Sequence, residues 1–422
     1  MTEPLAKPKK KNPVQRTRLA TLPPGPRSRA ALGLTRAAAE GVFELQVCAD
    51  CNAVQYPPRE VCGSCLSERL DWKPVDNHGE LIATTTLRHS NDLYFRERLP
   101  WRVGTVKMNA GPSVVAHVHE DCSEPGEGDV RVRLALKLDR SGQAVLHALP
   151  EKDTPNMNDS PQLRESTCDP EFRRVLVTDG KSAVGMGVAK AMLEAGASTV
   201  FLCDSSTWKT VPAFDALVAS DERIQAVELD VTDTDSVDRL AASIGGKVDI
   251  LVNTAAHMRD GGIVGRKDIN LARDAMEVNV LGLMRLAQAF GPGMSFRAAD
   301  GTNNAVAWVN VLSIHAFAAL PERGAWSASI AAALSASQTL RAELRGAGVR
   351  VMNVFPGPID EEWEQLTPPP KLAPSAVAKA IVKGLQEGLE DVYVGDIAEE
   401  LRARLRENRK AVERELGDSV GN

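Results

Sequence analysis

No run in the sequence approaches ~18 consecutive apolar residues, so no segment can span a bilayer as a helix. The N-terminus lacks the apolar core of a secretory signal, and a cytoplasmic location is expected by default. Aromatic residues make up only 4% of the chain, which leaves little to stack on nucleic-acid bases. Cysteines are few and odd in number, seven in 422 residues. An odd set in a cytosolic chain argues against a disulfide framework and for a metal site plus ordinary thiols. No internal repeat of useful period is evident.

What is there has the composition of a globular protein, 43% hydrophobic and 25% charged, and the chain is too long for one ordinary core. The net charge of -6 hides an asymmetry. Residues 1–39 carry nine Lys/Arg (Lys7, Lys9, Lys10, Lys11, Arg16, Arg18, Arg27, Arg29, Arg36) against one acid, Glu3. Six prolines in the first 26 residues block regular structure there, so 1–28 is expected to be a disordered basic arm. Residues 29–47 favour helix by their Ala and Leu content. Residues 29–150 are expected to form one domain, cysteine-rich and then strand-rich. Residues 151–170 are polar with three prolines and read as a linker. From 171 to 395 strand-like and helix-like runs alternate, the pattern of a parallel α/β sheet. A charged amphipathic helix over 397–416 completes a second domain, 171–422.

Cys48-Ala-Asp-Cys51 and Cys62-Gly-Ser-Cys65 are two CxxC knuckles ten residues apart. Two such turns complete a tetrahedral sulfur shell, and soft sulfur selects zinc, or alternatively iron, over hard cations. With four protein ligands there is no open position for water, so the metal is expected to be structural. Five short strand candidates follow: Gly79–Arg88, Trp101–Met108, Ser113–His119, Val130–Leu138 and Ala144–Leu149. They fit a small barrel of OB type. His117 and His119 share a strand face, but no neighbouring ligand spacing completes a second metal site, and they read as ordinary strand residues.

Further along, Val175–Val177 reads as a buried strand. It leads into Thr178-Asp-Gly-Lys-Ser-Ala-Val-Gly185, a helix, and a second strand ending at Asp204. That is the layout of a dinucleotide-binding βαβ unit, with the helix N-terminus facing phosphate and the acid facing ribose.

Two resemblances sharpen these readings. The helix, the cysteine pairs, the Tyr56-Pro57-Pro58-Arg59 run, Trp72 and the strand Gly79–Leu87 resemble the zinc-ribbon/OB-fold proteins that accompany thiolases, aldolases and hydratases acting on acyl-CoA. The resemblance implies docking on a thiolase-like enzyme and help in shaping its acyl-CoA tunnel. Residues 172–395 resemble the short-chain dehydrogenase/reductase family. Asp230 and Val231 match the adenine contact, and Asn253 the turn after the fourth strand. Asn279 matches the relay asparagine, Ser313 the catalytic serine, and Pro356-Gly357 the loop beside the nicotinamide. The fold class implied is a Rossmann-type doubly wound parallel sheet behind a zinc ribbon and OB barrel.

The departures from that family bear on function. It places Tyr and Lys four apart after the serine strand; here Trp326 and Ile330 stand at those positions. An indole N–H does not ionise usefully near neutral pH, and isoleucine has neither charge nor donor. In the phosphate turn, where the family has TGxxxGxG, Thr178 and Gly185 keep the pattern and Asp179 and Ala183 replace glycines; Gly180, between them, is a further candidate to contact a cofactor. Lys181 is expected to offset phosphate repulsion in part, and Asp204 to favour NAD over NADP.

Three functions follow. The first is an accessory subunit of an acyl-CoA complex, its degenerate dehydrogenase module serving homo- or hetero-oligomer formation, with an intact short-chain dehydrogenase as a possible companion. The second is an NAD-dependent oxidoreductase acting on a 3-hydroxyacyl-CoA. The third is a nucleic-acid-binding protein, which the acidic remainder of the chain opposes.

Overall fold

The computed structural model describes residues 1–7, 20–25, 28–126, 130–205, 208–265, 267–299, 306–365 and 367–418. Lys9, Lys10, Lys11, Arg16, Arg18 and Arg27, most of the charge of the basic arm, lie outside the described residues. The arm's described ends are seated. Thr2 is buried, the Leu5 N–H donates to Asp159 at 3.1 Å, and Thr21 Oγ1 donates to Glu97 at 2.9 Å.

Helix α1 (Leu32–Glu40) ends at Gly41, which sits at φ 71°, the left-handed conformation that closes helices. The helix expected through residue 47 therefore stops early. The alternating residues beyond it form strand β1 (Glu44–Cys48), which pairs antiparallel with β2 (Val54–Gln55) and β3 (Leu70–Pro74). This three-stranded ribbon carries the cysteine knuckles.

The barrel comprises β4 (His78–Leu87), β5 (Trp101–Met108), β6 (Ser113–Val118), β7 (Arg131–Leu138) and β8 (Ala144–Pro150), all within two residues of the expected strands. It closes in the order β4-β5-β6-β8-β7, with β6 and β8 parallel. Alternation along β7 turns Val132, Leu134, Leu136 and Leu138 inward, where they meet Leu34, Ala37 and Ala38 of α1. The short helix α2 (Leu93–Arg96) bridges β4 and β5. The histidines do not pair. His117 accepts from the Trp101 indole at 2.6 Å, while His119 contacts the Met157 carbonyl at 3.0 Å.

Residues 151–170 form a packed joint rather than a tether. Helix α3 (Pro161–Arg164) leads into a buried run from Leu163 to Asp169. Its polar residues are buried because partners meet them. Glu165 pairs with Arg98 at 2.9 Å and accepts from the Tyr94 hydroxyl at 3.2 Å. Arg350 donates to carbonyls on both sides of the joint, Gly388 at 2.8 Å and Leu138 at 3.1 Å. Composition alone signals a linker; satisfied hydrogen bonds make it a wall.

The second module is a seven-stranded sheet, parallel throughout. Its strands are β9 (Arg174–Val177), β10 (Thr199–Asp204), β11 (Ile224–Glu228), β12 (Ile250–Asn253), β13 (Ala307–Val311), β14 (Arg350–Pro356) and β15 (Asp391–Val394). They lie in the order β11-β10-β9-β12-β13-β14-β15. The helices are α4 (Ala183–Glu194), α5 (Pro212–Ser220), α6 (Thr234–Ile244), α7 (Asn270–Met276), α8 (Leu283–Ala298), α9 (Gly324–Arg345), α10 (Pro374–Glu387) and α11 (Asp396–Asp418). One π-helical stretch, Glu277–Gly282, joins α7 to α8, and α11 kinks at Asn408. Separate apolar clusters cover the two faces of the sheet. Chain order reverses between β9 and β12, and the crevice beyond their C-terminal ends is where such sheets take ligands.

Candidate functional site

The knuckles converge at the end of β1. Cys48 Sγ lies 3.6 Å from Cys65 Sγ, and Cys51 Sγ 3.6 Å from Cys62 Sγ; all four sulfurs fall within 4.8 Å of one another. A tetrahedral zinc with ~2.3 Å bonds to sulfur needs sulfurs about 3.8 Å apart, so the donor set fits. Backbone N–H groups of Cys65 and Ser64 hold the Cys62 thiol down to about 6, while the crowded sulfurs push the Cys51 and Cys65 thiols up. Gln55 crosses the knuckle, its Nε2 3.5 Å from Cys62 Sγ and its Oε1 accepting from the Gly63 N–H at 3.0 Å.

At the crevice, Thr178 is fully buried between β9 and β12. Its hydroxyl donates to Asn253 at 2.9 Å and accepts from the Thr254 N–H at 3.0 Å. The turn beyond keeps its glycines for steric reasons. A Cβ on Gly180 would stand 2.7 Å from the Cys203 carbonyl, and one on Gly185 would overlap the Asp179 carbonyl. On the far side, Asp230 closes its own turn by accepting from Thr232, and the Gly357 N–H donates to the Val394 carbonyl.

The polar groups that would meet a nucleotide are already engaged by the chain itself. Ser182 caps α4 by accepting from the Gly185 N–H at 3.0 Å. The Val184 N–H donates to Glu361 Oε1 at 2.8 Å. Asp179 takes the N–H groups of Ser182 and Lys181 and accepts from the Ser205 hydroxyl at 3.0 Å. Burial pushes the carboxyl groups of Asp179 and Glu361 above their ordinary range. Lys181 does not face the phosphate position as expected. Its ammonium lies 2.6 Å from Asp204, the acid assigned to ribose, and donates to the Lys209 carbonyl at 2.6 Å. The pyrophosphate seat at a helix N-terminus depends on free N–H groups. A dinucleotide does not fit the residues as they stand.

The catalytic positions are likewise filled. Trp326 and Ile330, on α9, are 6% and 4% exposed and join Val280, Leu312, Leu334 and Phe355 in one apolar cluster. Ser313 is buried and caps a short turn, accepting from the His315 N–H at 3.2 Å. Asn279 sits in the π-helical stretch. It accepts from the His257 N–H at 2.8 Å and donates to the Ser329 hydroxyl at 2.8 Å, which ties α9 to the loop after β12. Both retained residues therefore have structural partners. The His315 ring lies tilted, 6.0 Å from that of Trp326, and burial lowers its pKa, as it does for His257. Neither is poised to gain a proton near neutral pH.

Sequence reasoning missed Glu361 and the segment around it. Glu362 pairs with Lys209 at 3.0 Å, Trp363 lies under Arg259 at 3.3 Å, and Glu364 pairs with the buried Arg323 at 2.8 Å. The only signal was an acidic run, Asp360-Glu361-Glu362, after the Pro356-Gly357-Pro358 loop. Nothing in it pointed to α4, some 177 residues earlier.

Comparison with known proteins agrees with the two modules. A family model described as short chain dehydrogenase matches residues 173–369. Models for the rubredoxin-like zinc ribbon of ChsH2 and its C-terminal OB-fold domain match residues 35–71 and 72–137. The chain is 30% identical to 1-deoxy-11-beta-hydroxypentalenate dehydrogenase of Streptomyces exfoliatus over 47% of this chain and 72% of that one. It is 27% identical to farnesol dehydrogenase of Aedes aegypti over 44% and 77% respectively. A solved short chain dehydrogenase from Burkholderia cenocepacia, in complex with NADP, is 33% identical and superposes with a TM-score of 0.52, covering 59% of this chain and 98% of that one.

Proposed function

Because this chain belongs to the short-chain dehydrogenase family through its second module, with a ChsH2-type zinc ribbon and OB fold ahead of it, we propose that it is an accessory subunit of an acyl-CoA-processing complex, in which the dehydrogenase module serves assembly rather than hydride transfer. One observation carries this reading: the groups that would bind and reduce or oxidise a substrate are bonded to, or packed on, the chain itself. A short-chain dehydrogenase moves the alcohol proton through a phenol steadied by an ammonium. Trp326 and Ile330 offer neither, and general acid–base assistance is worth typically 10²–10⁴-fold.

The zinc ribbon, holding a structural zinc on Cys48, Cys51, Cys62 and Cys65, fixes the approach to the barrel. The outer face of β4, β5 and β6 presents Ala83, Thr85, Val103, Thr105 and Val115, with Val115 65% exposed. This uncharged stretch, bordered by Glu80 and Lys107 at its edge, suits a permanent protein neighbour. The occupant we assign is a thiolase-type acyl-CoA enzyme, because that is the company the ribbon/OB resemblance implies. The exposed side of α9 offers small residues, Ala328, Ala331, Ser335 and Ala342, beside Leu281 and Met284 near the start of α8. Close helix packing there supports pairing with a second copy or with an intact short-chain dehydrogenase.

The test is affinity capture of the tagged full chain from its native host, with identification of what elutes. A thiolase-type enzyme in near-stoichiometric amount is expected, and a Val115→Arg chain should recover at least tenfold less of it. Elution of the chain alone, or equal recovery by both forms, contradicts the assignment.

A further inference from the structure

The four consecutive residues Glu361, Glu362, Trp363 and Glu364 touch four different walls of the crevice: the N-terminus of α4, Lys209 beyond β10, Arg259 beyond β12, and Arg323 ahead of α9. Arg323 is itself clamped, donating to Asp260 at 2.7 Å and to Thr367 Oγ1 at 3.0 Å as well as to Glu364. A surface loop has no need of so many specific partners, and Glu364 is only 7% exposed. The Glu361 carboxylate takes the Val184 N–H in the first turn of α4, where such groups have no partner within the helix and in a dinucleotide fold face a diphosphate.

We infer that residues 361–364 are an internal ligand of the dinucleotide crevice, and that the Glu361 carboxylate occupies the seat of a diphosphate and excludes it. The tight turn beneath is kept: Gly180 and Gly185 cannot gain a side chain without colliding with the chain around them, and Ser182 still caps the helix. What has changed is that the anion comes from the chain, 177 residues away. The inference concerns the same crevice as the assembly reading but does not depend on any partner; partner capture and anion binding can fail independently.

Inorganic pyrophosphate is the probe, titrated calorimetrically into the full chain. The wild type should show no saturable binding at millimolar concentration. Glu361→Ala, which frees the Val184 N–H, should bind at least tenfold more tightly and should melt at a higher temperature with pyrophosphate than without. Glu362→Ala loses only an exposed ion pair and should behave as wild type. If Glu361→Ala does not fold, Glu361→Gln carries the test, since it removes the competing charge at nearly constant volume and should also gain affinity. Equal binding by wild type and the Glu361 variant overturns the inference, because the carboxylate then excludes nothing. Absence of binding in both, with both folded by circular dichroism, overturns it as well, because no anion seat then lies beneath.

Discussion

Individual residues decide whether this chain can perform the chemistry of its family, and they do so through burial. Trp326 and Ile330 are core residues: each replaces a polar group that needs solvent or a cofactor with one that needs neither. Lys137 shows the opposite case, a charge held half-buried at the joint. Its ammonium donates to the Glu387 carbonyl at 3.0 Å across the joint, and burial pushes its pKa down to about 8. In the unfolded chain the group titrates near ~10.4. Between those values the unfolded chain binds a proton that the folded chain does not, so folding stability should rise with pH over that window. Lys137→Met keeps most of the stem and removes the charge, and should abolish this rise. Urea denaturation of both proteins from about pH 8 to about pH 10 measures the difference. Parallel pH profiles would show that Lys137 is not held as described.

Elements were legible to different degrees. The ribbon and barrel could be read closely, because CxxC spacing and period-two alternation are local signals, and β4 to β8 appear within two residues of expectation. The first two Rossmann strands were equally plain. The end of α1 was misread because Ala and Leu content outweighed one glycine, Gly41, whose left-handed backbone stops the helix. Residues 151–170 were misread because composition says nothing of Arg350, nearly two hundred residues on, which ties the joint together. Glu361 was invisible for the same reason: contacts between distant positions leave no periodic trace. The ribbon also carries a direct test. One zinc per chain is expected by elemental analysis, and Cys62→Ser should lose it. The binding energy of a structural zinc is folding energy for the ribbon it closes, so proteolysis should then cut within residues 44–74 while the Rossmann module stays folded. A metal-free wild type, or a variant with its ribbon still resistant to protease, would contradict a structural role for the metal.

The whole molecule is two modules locked by a polar joint, a zinc ribbon with its barrel and a Rossmann sheet whose crevice is met by residues of its own chain. The ion pair of Lys181 with Asp204, the Glu361 contact with α4, and the apolar plug of Trp326 and Ile330 lie at the adenosine, diphosphate and nicotinamide ends of one path. The proposed loss of hydride transfer rests on all three occurring together in one crevice. The most direct measurement of that claim is titration of the purified full chain with NADH and NADPH by fluorescence, followed by assay with a 3-hydroxyacyl-CoA. The account predicts no saturable binding and no turnover. Saturable nicotinamide binding together with oxidation of the alcohol at an ordinary enzymatic rate would contradict it.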